Sequence, residues 1–242
     1  MDTQSINRFS KGFRDGIPIG LGYLSVSFAF GITAVEAGLP VWSAVLISLT
    51  NLTSAGQLAG VSLIAAGASL VEMAATQLII NLRYALMSIT LSQKADRTMT
   101  TLHRMLISFF ITDEVFAVAS GHRADLGRRY LYGLGLAPMV GWVLGTALGA
   151  AAGAVLPASL RSALGIAIYG MFIAIIIPPA RHQRPVALVL LIAIALSCLC
   201  RFVPGLDRLS PGFAIILCAV AASAVGAWLF PIAREEKEEN DA

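Results

Sequence analysis

Long apolar stretches separated by short polar loops dominate the pattern along the chain. Uninterrupted runs cover residues 17–35, 131–156, 163–177, 186–199 and 213–230, and a sixth run, residues 73–91, carries Arg83 at its centre. A helix needs about 20 apolar residues to cross a bilayer, and the shorter runs reach that length with their flanking residues. The pattern therefore predicts membrane-spanning helices, with Pro178-Pro179 marking the end of one of them.

Two further apolar segments are interrupted near their middle. Residues 41–66 are broken by the polar stretch 51–57, and residues 99–120 are broken by residues 112–114. If both segments cross the membrane, the chain has eight spans. If both dip in and return, it has six full spans plus two re-entrant helical hairpins. Either alternative is an all-α integral membrane protein, predicted as a single transmembrane domain over residues 1–242.

The distribution of basic residues bears on these alternatives, because cytoplasmic loops of membrane proteins are enriched in Lys and Arg. Eight spans place ten basic residues inside and six outside. Hairpins move Lys94, Arg97 and Arg104 inside, which makes the count thirteen against three. The rule has exceptions, so both alternatives stay open. In either case the N-terminal segment 1–16 and the charged tail 234–242 are predicted to be cytoplasmic.

Composition supports a membrane location and excludes several other classes. The chain is 57% hydrophobic and 13% charged, whereas a soluble domain has about 25% charged residues. The small net charge of +3 is spread through loops and does not indicate nucleic-acid binding. The three histidines have no metal-ligand spacing, and the sequence motifs of hydrolases and nucleotide-binding enzymes are absent. We therefore expect neither a cofactor nor an enzymatic activity.

One predicted helix repeats glycine at every fourth position, at Gly141, Gly145, Gly149 and Gly153. This spacing places the four glycines on a single face of the helix. Another backbone can approach such a face closely, as in the small-residue interfaces of membrane helices. The pattern predicts close helix–helix packing, either within this chain or with a partner subunit.

Three charged residues lie within apolar segments: Arg83, Asp113 and Glu114. Each charged group at bilayer depth costs about 2.5–3.5 kcal/mol on insertion scales, so such groups normally face a partner or a wet cavity. These residues therefore mark the predicted functional site. The alternative is an ion pair that only locks two segments together.

Four short motifs resemble the AzlC family of branched-chain amino-acid permeases, in the same order and in the same apolar setting. They are Gly12-Phe-Arg-Asp-Gly-Ile-Pro18, Ser54-Ala-Gly-Gln57, Asn81-Leu-Arg-Tyr84 and Thr112-Asp-Glu114. The resemblance extends from the N-terminus to about Ser120. It implies efflux of branched-chain or similar small apolar amino acids across the cytoplasmic (inner) membrane, coupled to protons. It also implies a small membrane partner of the AzlD type, and a homo-oligomer is a further possibility.

An amino-acid zwitterion needs acceptors for its ammonium group, donors for its carboxylate and an apolar pocket. Asp113 and Glu114 are the predicted acceptors. Adjacent carboxyls in a poorly hydrated site do not both ionise readily, so one of them is also the predicted proton carrier. The predicted donors or polar contacts are Arg83, Asn51, Thr53, Ser54, Gln57 and Asn81, and the predicted pocket walls are Phe28, Phe109 and Phe116. The alternatives are an uncoupled facilitator for small solutes and a structural membrane subunit whose polar residues only bond helices together.

Overall fold

The computed structural model describes residues 7–96, 99–122, 125–153 and 155–231, and within these ranges the chain is helical without any β-strand. The all-α class is confirmed. The described helices are α1 (Phe9–Glu36), α2 (Val41–Thr50), α3 (Ser54–Ala65), α4 (Leu70–Lys94), α5 (Thr101–Ser108), α6 (Asp113–Ser120), α7 (Arg128–Gly153), α8 (Ala158–His182), α9 (Arg184–Phe202) and α10 (Pro211–Leu229), with a 3₁₀ turn at Leu206–Arg208. The charged tail from residue 234 lies outside the described residues.

Helices α1, α7, α9 and α10 are long and apolar enough to cross a membrane, by length and composition. Helix α4, with 25 residues, also has the length of a span but carries Arg83 and ends at Lys94. One predicted boundary is wrong. Helix α8 runs through Pro178 and Pro179 to His182, because a proline crowds the carbonyl four residues before it and does not prevent the residues after it from continuing the helix.

Helices α1 and α7 pack tightly and in parallel through their glycines. A Cβ added at Gly141 would overlap the backbone of Gly20, and one at Gly149 would overlap the carbonyl of Phe28. Only glycine allows two backbones to approach so closely. Gly153 is less restrictive, since its nearest neighbour, the Cα of Ile32, would lie 3.6 Å from an added Cβ. The predicted glycine face is thus confirmed, and its partner is α1 of the same chain.

The first interrupted segment, hairpin 1 (α2 and α3), turns back on itself at residues 51–53. Gln57 in the first turn of α3 donates from Nε2 to the carbonyl of Ile47 and to the hydroxyl of Ser48, both at 3.3 Å. A straight continuation through three extended residues would separate Ile47 from Gln57 by about 20 Å. The chain must therefore reverse direction here.

Helix α4 then carries the chain along the whole bundle. Gly56 lies beside Asn81, and Gly60 lies beside Gln77 and Met73, so α3 and α4 are antiparallel. At its other end, Lys94 donates from Nζ to the carbonyl of Ser120. A 25-residue helix is about 37 Å long. Hairpin 1 therefore enters and leaves at the end of the bundle where α1 ends and α4 begins.

The second interrupted segment, hairpin 2 (α5 and α6), enters from the opposite end. At its start, Arg104 donates from Nη1 to the carbonyl of Ser92, 2.8 Å away, and at its finish the Ser120 carbonyl accepts from Lys94. Between these points the chain turns inside the bundle. Asp113 forms an ion pair with Arg83, and Arg83 lies roughly 16 Å from Lys94 along α4. The contacts thus favour two hairpins over two crossings. A span followed by a hairpin occurs twice, from opposite ends.

The contacts divide the chain into two compact units, residues 1–172 and 173–242, with the boundary inside α8. The first unit holds α1 to α7 and both hairpins. In the second unit α9 packs against α10, and a Cβ added at Gly226 of α10 would collide with Val189 of α9. All predicted site residues lie in the first unit.

Candidate functional site

Helix α6 begins in the interior of the bundle, at the tip of hairpin 2. Its N-cap is Thr112, which is buried and accepts the backbone N–H of Val115 at 3.4 Å through its hydroxyl. Asp113 and Glu114 form the first turn. The start of a helix carries partial positive charge, which stabilises carboxylates there. This local order explains how an acid pair can stand at the centre of an otherwise apolar segment.

Arg83 of α4 forms an ion pair with Asp113, with Nη1 and Oδ2 2.9 Å apart. The same guanidinium donates to the Tyr84 hydroxyl at 3.0 Å and lies 4.8 Å from the centroid of the Tyr84 ring. The Arg83 and Asp113 side chains are 44% and 39% exposed. Charges this accessible, on helices of a membrane protein, need a wet cavity or a partner rather than lipid.

Glu114 is held by a residue that the sequence did not indicate. Tyr23 of α1 donates its hydroxyl proton to a Glu114 carboxylate oxygen. The Tyr23 ring packs edge-on against Trp142 of α7, with centroids 5.0 Å apart and planes at 78°. Both aromatic residues lie within predicted apolar spans, where nothing in the sequence pattern distinguishes them from lipid-facing residues.

The contact network continues from Trp142 into hairpin 1. The indole N–H of Trp142 donates to Oε1 of Gln57 at 2.8 Å. Gln57 is 1% exposed, and its Nε2 donates to the Asn51 carbonyl at 2.5 Å. Gln57 therefore satisfies backbone groups that the break at residues 51–53 would otherwise leave unpaired.

The other neutral polar residues also gather at hairpin 1. Thr53 donates from its hydroxyl to Oδ1 of Asn51 at 2.7 Å, and Ser54 begins α3. Asn81 donates to Oε1 of Gln77 at 3.0 Å, and Gln77 in turn donates to the Gly56 carbonyl at 2.7 Å. Among the described residues, the buried Oδ1 of Asn81 finds no hydrogen-bond partner.

The predicted site residues therefore form two clusters. The charged cluster consists of Arg83, Asp113 and Glu114, and the neutral cluster consists of Asn51, Thr53, Ser54, Gln57 and Asn81. Tyr23 and Trp142 connect them. Asn81 is two residues from Arg83 on the same helix, but the Asn81 side chain lies at hairpin 1, whereas the Arg83 side chain contacts hairpin 2.

The three phenylalanines predicted to line a pocket lie apart from one another. Phe28 meets α7 at Gly149 through its backbone. Phe109 is 37% exposed and packs edge-on against Phe110, with centroids 5.5 Å apart. Phe116 packs against the buried hydrophobic cluster that joins α4 to α7. Their role in lining a substrate pocket stays a prediction.

Spanning helices, two re-entrant hairpins and charged groups at the tip of hairpin 2 define an all-α integral membrane protein, and such features are common in transporters. Residues 18–156 match the family model described as AzlC protein, and the chain belongs to this family. The inner membrane protein YgaZ of Escherichia coli K12 is 28% identical over 183 residues, which cover 73% of this chain and 74% of that protein. An uncharacterized membrane protein of Archaeoglobus fulgidus is 31% identical over 180 residues, covering 73% and 78%. No solved structure matches the chain.

The family match differs in extent from the motif resemblance. It begins at Pro18, so most of the first motif lies outside it, and it continues beyond Ser120 to residue 156. The added part includes α7, with Trp142 and the glycine face. The family relationship thus covers both hairpins and the α1–α7 pair that contacts them, and its curated relatives are membrane proteins.

Proposed function

We propose that this protein is the large subunit of a secondary transporter that exports branched-chain or similar small apolar amino acids across the cytoplasmic (inner) membrane. Membership of the AzlC family supports a transport-related role. The two hairpins support it independently, because irregular backbone at membrane depth is tolerated only inside protein or along a water-filled cavity. Transporters commonly build their sites from such broken helices.

The charged cluster at the tip of hairpin 2 carries the proposal. Arg83, Asp113 and Glu114 place a donor of two or more hydrogen bonds beside two acceptors. A substrate zwitterion presents the complementary groups, an ammonium and a carboxylate. Arg83 and Asp113 bond to each other, and a bound amino acid would exchange this ion pair for two of its own.

Proton coupling is the second part of the proposal, and the adjacency of the two acids supports it. Asp113 and Glu114 are consecutive residues at the start of one helix, and like charges at such short range repel each other. In our proposal one of the two acids takes up a proton as the cavity faces one side and releases it on the other. Arg83 adjusts that balance through its ion pair with Asp113.

The proposed partner is a small helical membrane protein of the AzlD type, as the family resemblance implies. The outer face of α4 offers a surface for it: Leu78, Leu82, Leu86 and Ile89 are exposed on the helix that carries Arg83. Both termini are proposed to be cytoplasmic, which places the start of α1 and the entry of hairpin 2 on the cytoplasmic side.

The test is amino-acid flux in proteoliposomes that contain the chain and its partner, under an imposed pH gradient. We expect Asp113→Asn combined with Glu114→Gln to lower gradient-driven flux of leucine or valine by about a hundredfold, the usual contribution of a positioned acid or base. Glu36→Gln is the matched control. Glu36 is paired with Arg161 at 3.6 Å, at the end of α1 and away from the cluster, so its flux should be unchanged.

Two outcomes would contradict the proposal in different ways. Full gradient-driven flux in the double variant would remove the acid pair from the mechanism. Flux through the unmodified protein that does not depend on the pH gradient would indicate an uncoupled facilitator. Equilibrium binding of leucine to the purified chain adds a further check, because a purely structural subunit would bind none.

A further inference from the structure

We infer that Tyr23 and Trp142 form the central gate of the transporter, with Tyr23 as a positioning residue that latches hairpin 2 through Glu114. This inference rests on the proposed function for its role in transport. Its structural part, a latch that holds a movable hairpin, can be tested without any flux measurement.

The gate stands where the backbones of α1 and α7 are in close contact. Tyr23 lies three residues after Gly20, and Trp142 follows Gly141, at the point where a Cβ on Gly141 would overlap the Gly20 backbone. Neither backbone can shift without separating α1 from α7. The two rings are therefore fixed against each other, edge to face.

The two hairpins attach to this pair from opposite directions. Hairpin 2 reaches Tyr23 through Glu114, and hairpin 1 reaches Trp142 through Gln57. Because the hairpins enter from opposite ends of the bundle, the aromatic pair lies between the two tips. In our proposal, a solute that passes from one tip to the other passes these rings.

The hydrogen bond from Trp142 to Gln57 and the hydrogen bond from Tyr23 to Glu114 differ in how easily a substrate could replace them. Gln57 is buried and also bonds to the Asn51 carbonyl and the Ser48 hydroxyl within its own hairpin. Glu114 stands instead in a charged and accessible cluster, with Asp113 beside it and Arg83 and Tyr84 facing it from α4. A substrate ammonium that binds Glu114 would compete directly with the Tyr23 hydroxyl. Hairpin 2 is therefore the element that moves, and hairpin 1 stays in place.

The experiment measures exposure of each hairpin tip by the rate of labelling with a membrane-impermeant maleimide. The reporters are Ile111→Cys for hairpin 2 and Leu52→Cys for hairpin 1, each buried and next to the tip threonine, in a background with Cys198, Cys200 and Cys218 replaced by serine. Tyr23→Phe keeps the ring and removes only the latch. We expect it to raise labelling at position 111 about tenfold, the effect of losing one hydrogen bond to a charged group, and to leave position 52 unchanged.

Thr146→Val is the matched control. Its hydroxyl on α7 makes a hydrogen bond with the Ser48 hydroxyl of hairpin 1 at 2.8 Å and does not touch hairpin 2. Equal labelling at position 111 in Tyr23→Phe and Thr146→Val would overturn the latch. Faster labelling at both reporters in Tyr23→Phe would also overturn it, because that result means general loosening of the fold.

Tyr23→Ala tests the barrier itself by removing the ring. We expect a leucine leak that no longer depends on the pH gradient, and vesicles that stay tight would overturn the barrier. The result is separable from the proposed function. If the acid-pair variant still transports while Tyr23→Phe raises labelling at position 111, only the assigned substrate chemistry fails. If the acid-pair variant loses transport while Tyr23→Phe leaves that labelling unchanged, only the gate fails.

Discussion

The two hairpins share one backbone plan and differ in the side chains that follow the turn. In each, a half-helix ends, a buried apolar residue is followed by a threonine in an extended conformation, and a second half-helix begins. The pairs are Leu52-Thr53 in hairpin 1 and Ile111-Thr112 in hairpin 2. Hairpin 1 continues with Ser54, whereas hairpin 2 continues with Asp113 and Glu114.

This difference separates anchoring from chemistry. The polar atoms of hairpin 1 are satisfied mainly within the hairpin and by the fixed indole of Trp142. The carboxylates of hairpin 2 are satisfied by side chains of other helices, Arg83 and Tyr23. Bonds to other side chains can be exchanged for bonds to a substrate, and a buried internal network cannot be exchanged without a large cost. The comparison therefore supports the proposal that hairpin 2 carries the transport chemistry.

The largest effect is expected from a test of the hairpins themselves, because the outcome is all or none. Single cysteines at Ala37 and Ala66 flank hairpin 1, and cysteines at Gln93 and Gly121 flank hairpin 2. Re-entrant geometry predicts that the first two label from one side of the membrane and the last two from the other side. Impermeant thiol reagents applied to right-side-out and inside-out vesicles measure this directly.

Two full crossings would give a different pattern at the same four positions. Ala37 and Ala66 would then label from opposite sides, as would Gln93 and Gly121. Such a result would end the comparison, because the two segments would no longer be hairpins. Labelling of Gln93 from the cytoplasmic side would in addition support the proposed orientation.

The next largest effect is expected at the scaffold to which both hairpins attach. Gly149→Ala would push a Cβ into the Phe28 carbonyl, and we expect a loss of about 1–3 kcal/mol of unfolding free energy from such overpacking. Gly22→Ala on α1 is the matched control, since in the described part of the chain no atom of another helix lies within 4 Å of an added Cβ there. Alanine is a better helix former than glycine, so Gly22→Ala should be neutral or slightly stabilising.

Equilibrium unfolding in mixed micelles measures both variants. Equal stability of the two variants would mean that the α1–α7 contact is looser than the structure indicates. The position of Tyr23 and Trp142 would then lose its rigid support, and the two hairpins could not be compared against a common frame.

Much of this architecture could be predicted from the sequence, for reasons that individual residues make clear. Apolar runs locate the spans because the bilayer sets their length, and the spacing from Gly141 to Gly153 predicts a packing face because only small residues allow backbones to meet. The interruptions at Asn51 and Asp113 mark the hairpin tips, since polar groups at membrane depth need special surroundings. The partner of the glycine face could not be predicted, because complementary glycines occur on several helices.

The aromatic link was missed for a similar reason. A tyrosine or tryptophan in an apolar span is usually a lipid or interface residue, and Tyr23 and Trp142 acquire their roles only through contacts 91 and 85 residues away in sequence. Likewise, the choice between hairpins and crossings depended on which carbonyls Gln57 and Lys94 reach. Sequence periodicity contains no information about such long-range pairs.

A smaller effect is expected inside hairpin 1. Gln57→Leu would leave the Trp142 indole N–H and the Asn51 carbonyl without their partner, and an unsatisfied buried group costs about 1–3 kcal/mol. Thr50→Val is the matched control, because its exposed hydroxyl bonds only to carbonyls of its own helix. If hairpin 1 is an anchor, stability measured in micelles should fall in Gln57→Leu, while the substrate affinity of the remaining folded protein should stay within about twofold. A large loss of affinity at unchanged stability would place substrate chemistry in hairpin 1 after all.

The smallest stability effect is expected at the charged cluster, where the functional effect is largest. Arg83 and Asp113 are both more than one-third exposed, so a double-mutant cycle with Arg83→Gln and Asp113→Asn should give a coupling energy of about 1 kcal/mol or less. The same variants should also lower gradient-driven flux by up to about a hundredfold, because each removes a group that the zwitterion needs. If the pair instead only locks α4 to hairpin 2, the cycle should give several kcal/mol, and conservative variants that still fold should transport normally. A large loss of flux together with a small loss of unfolding free energy at this pair would therefore distinguish hairpin 2 from hairpin 1 most clearly.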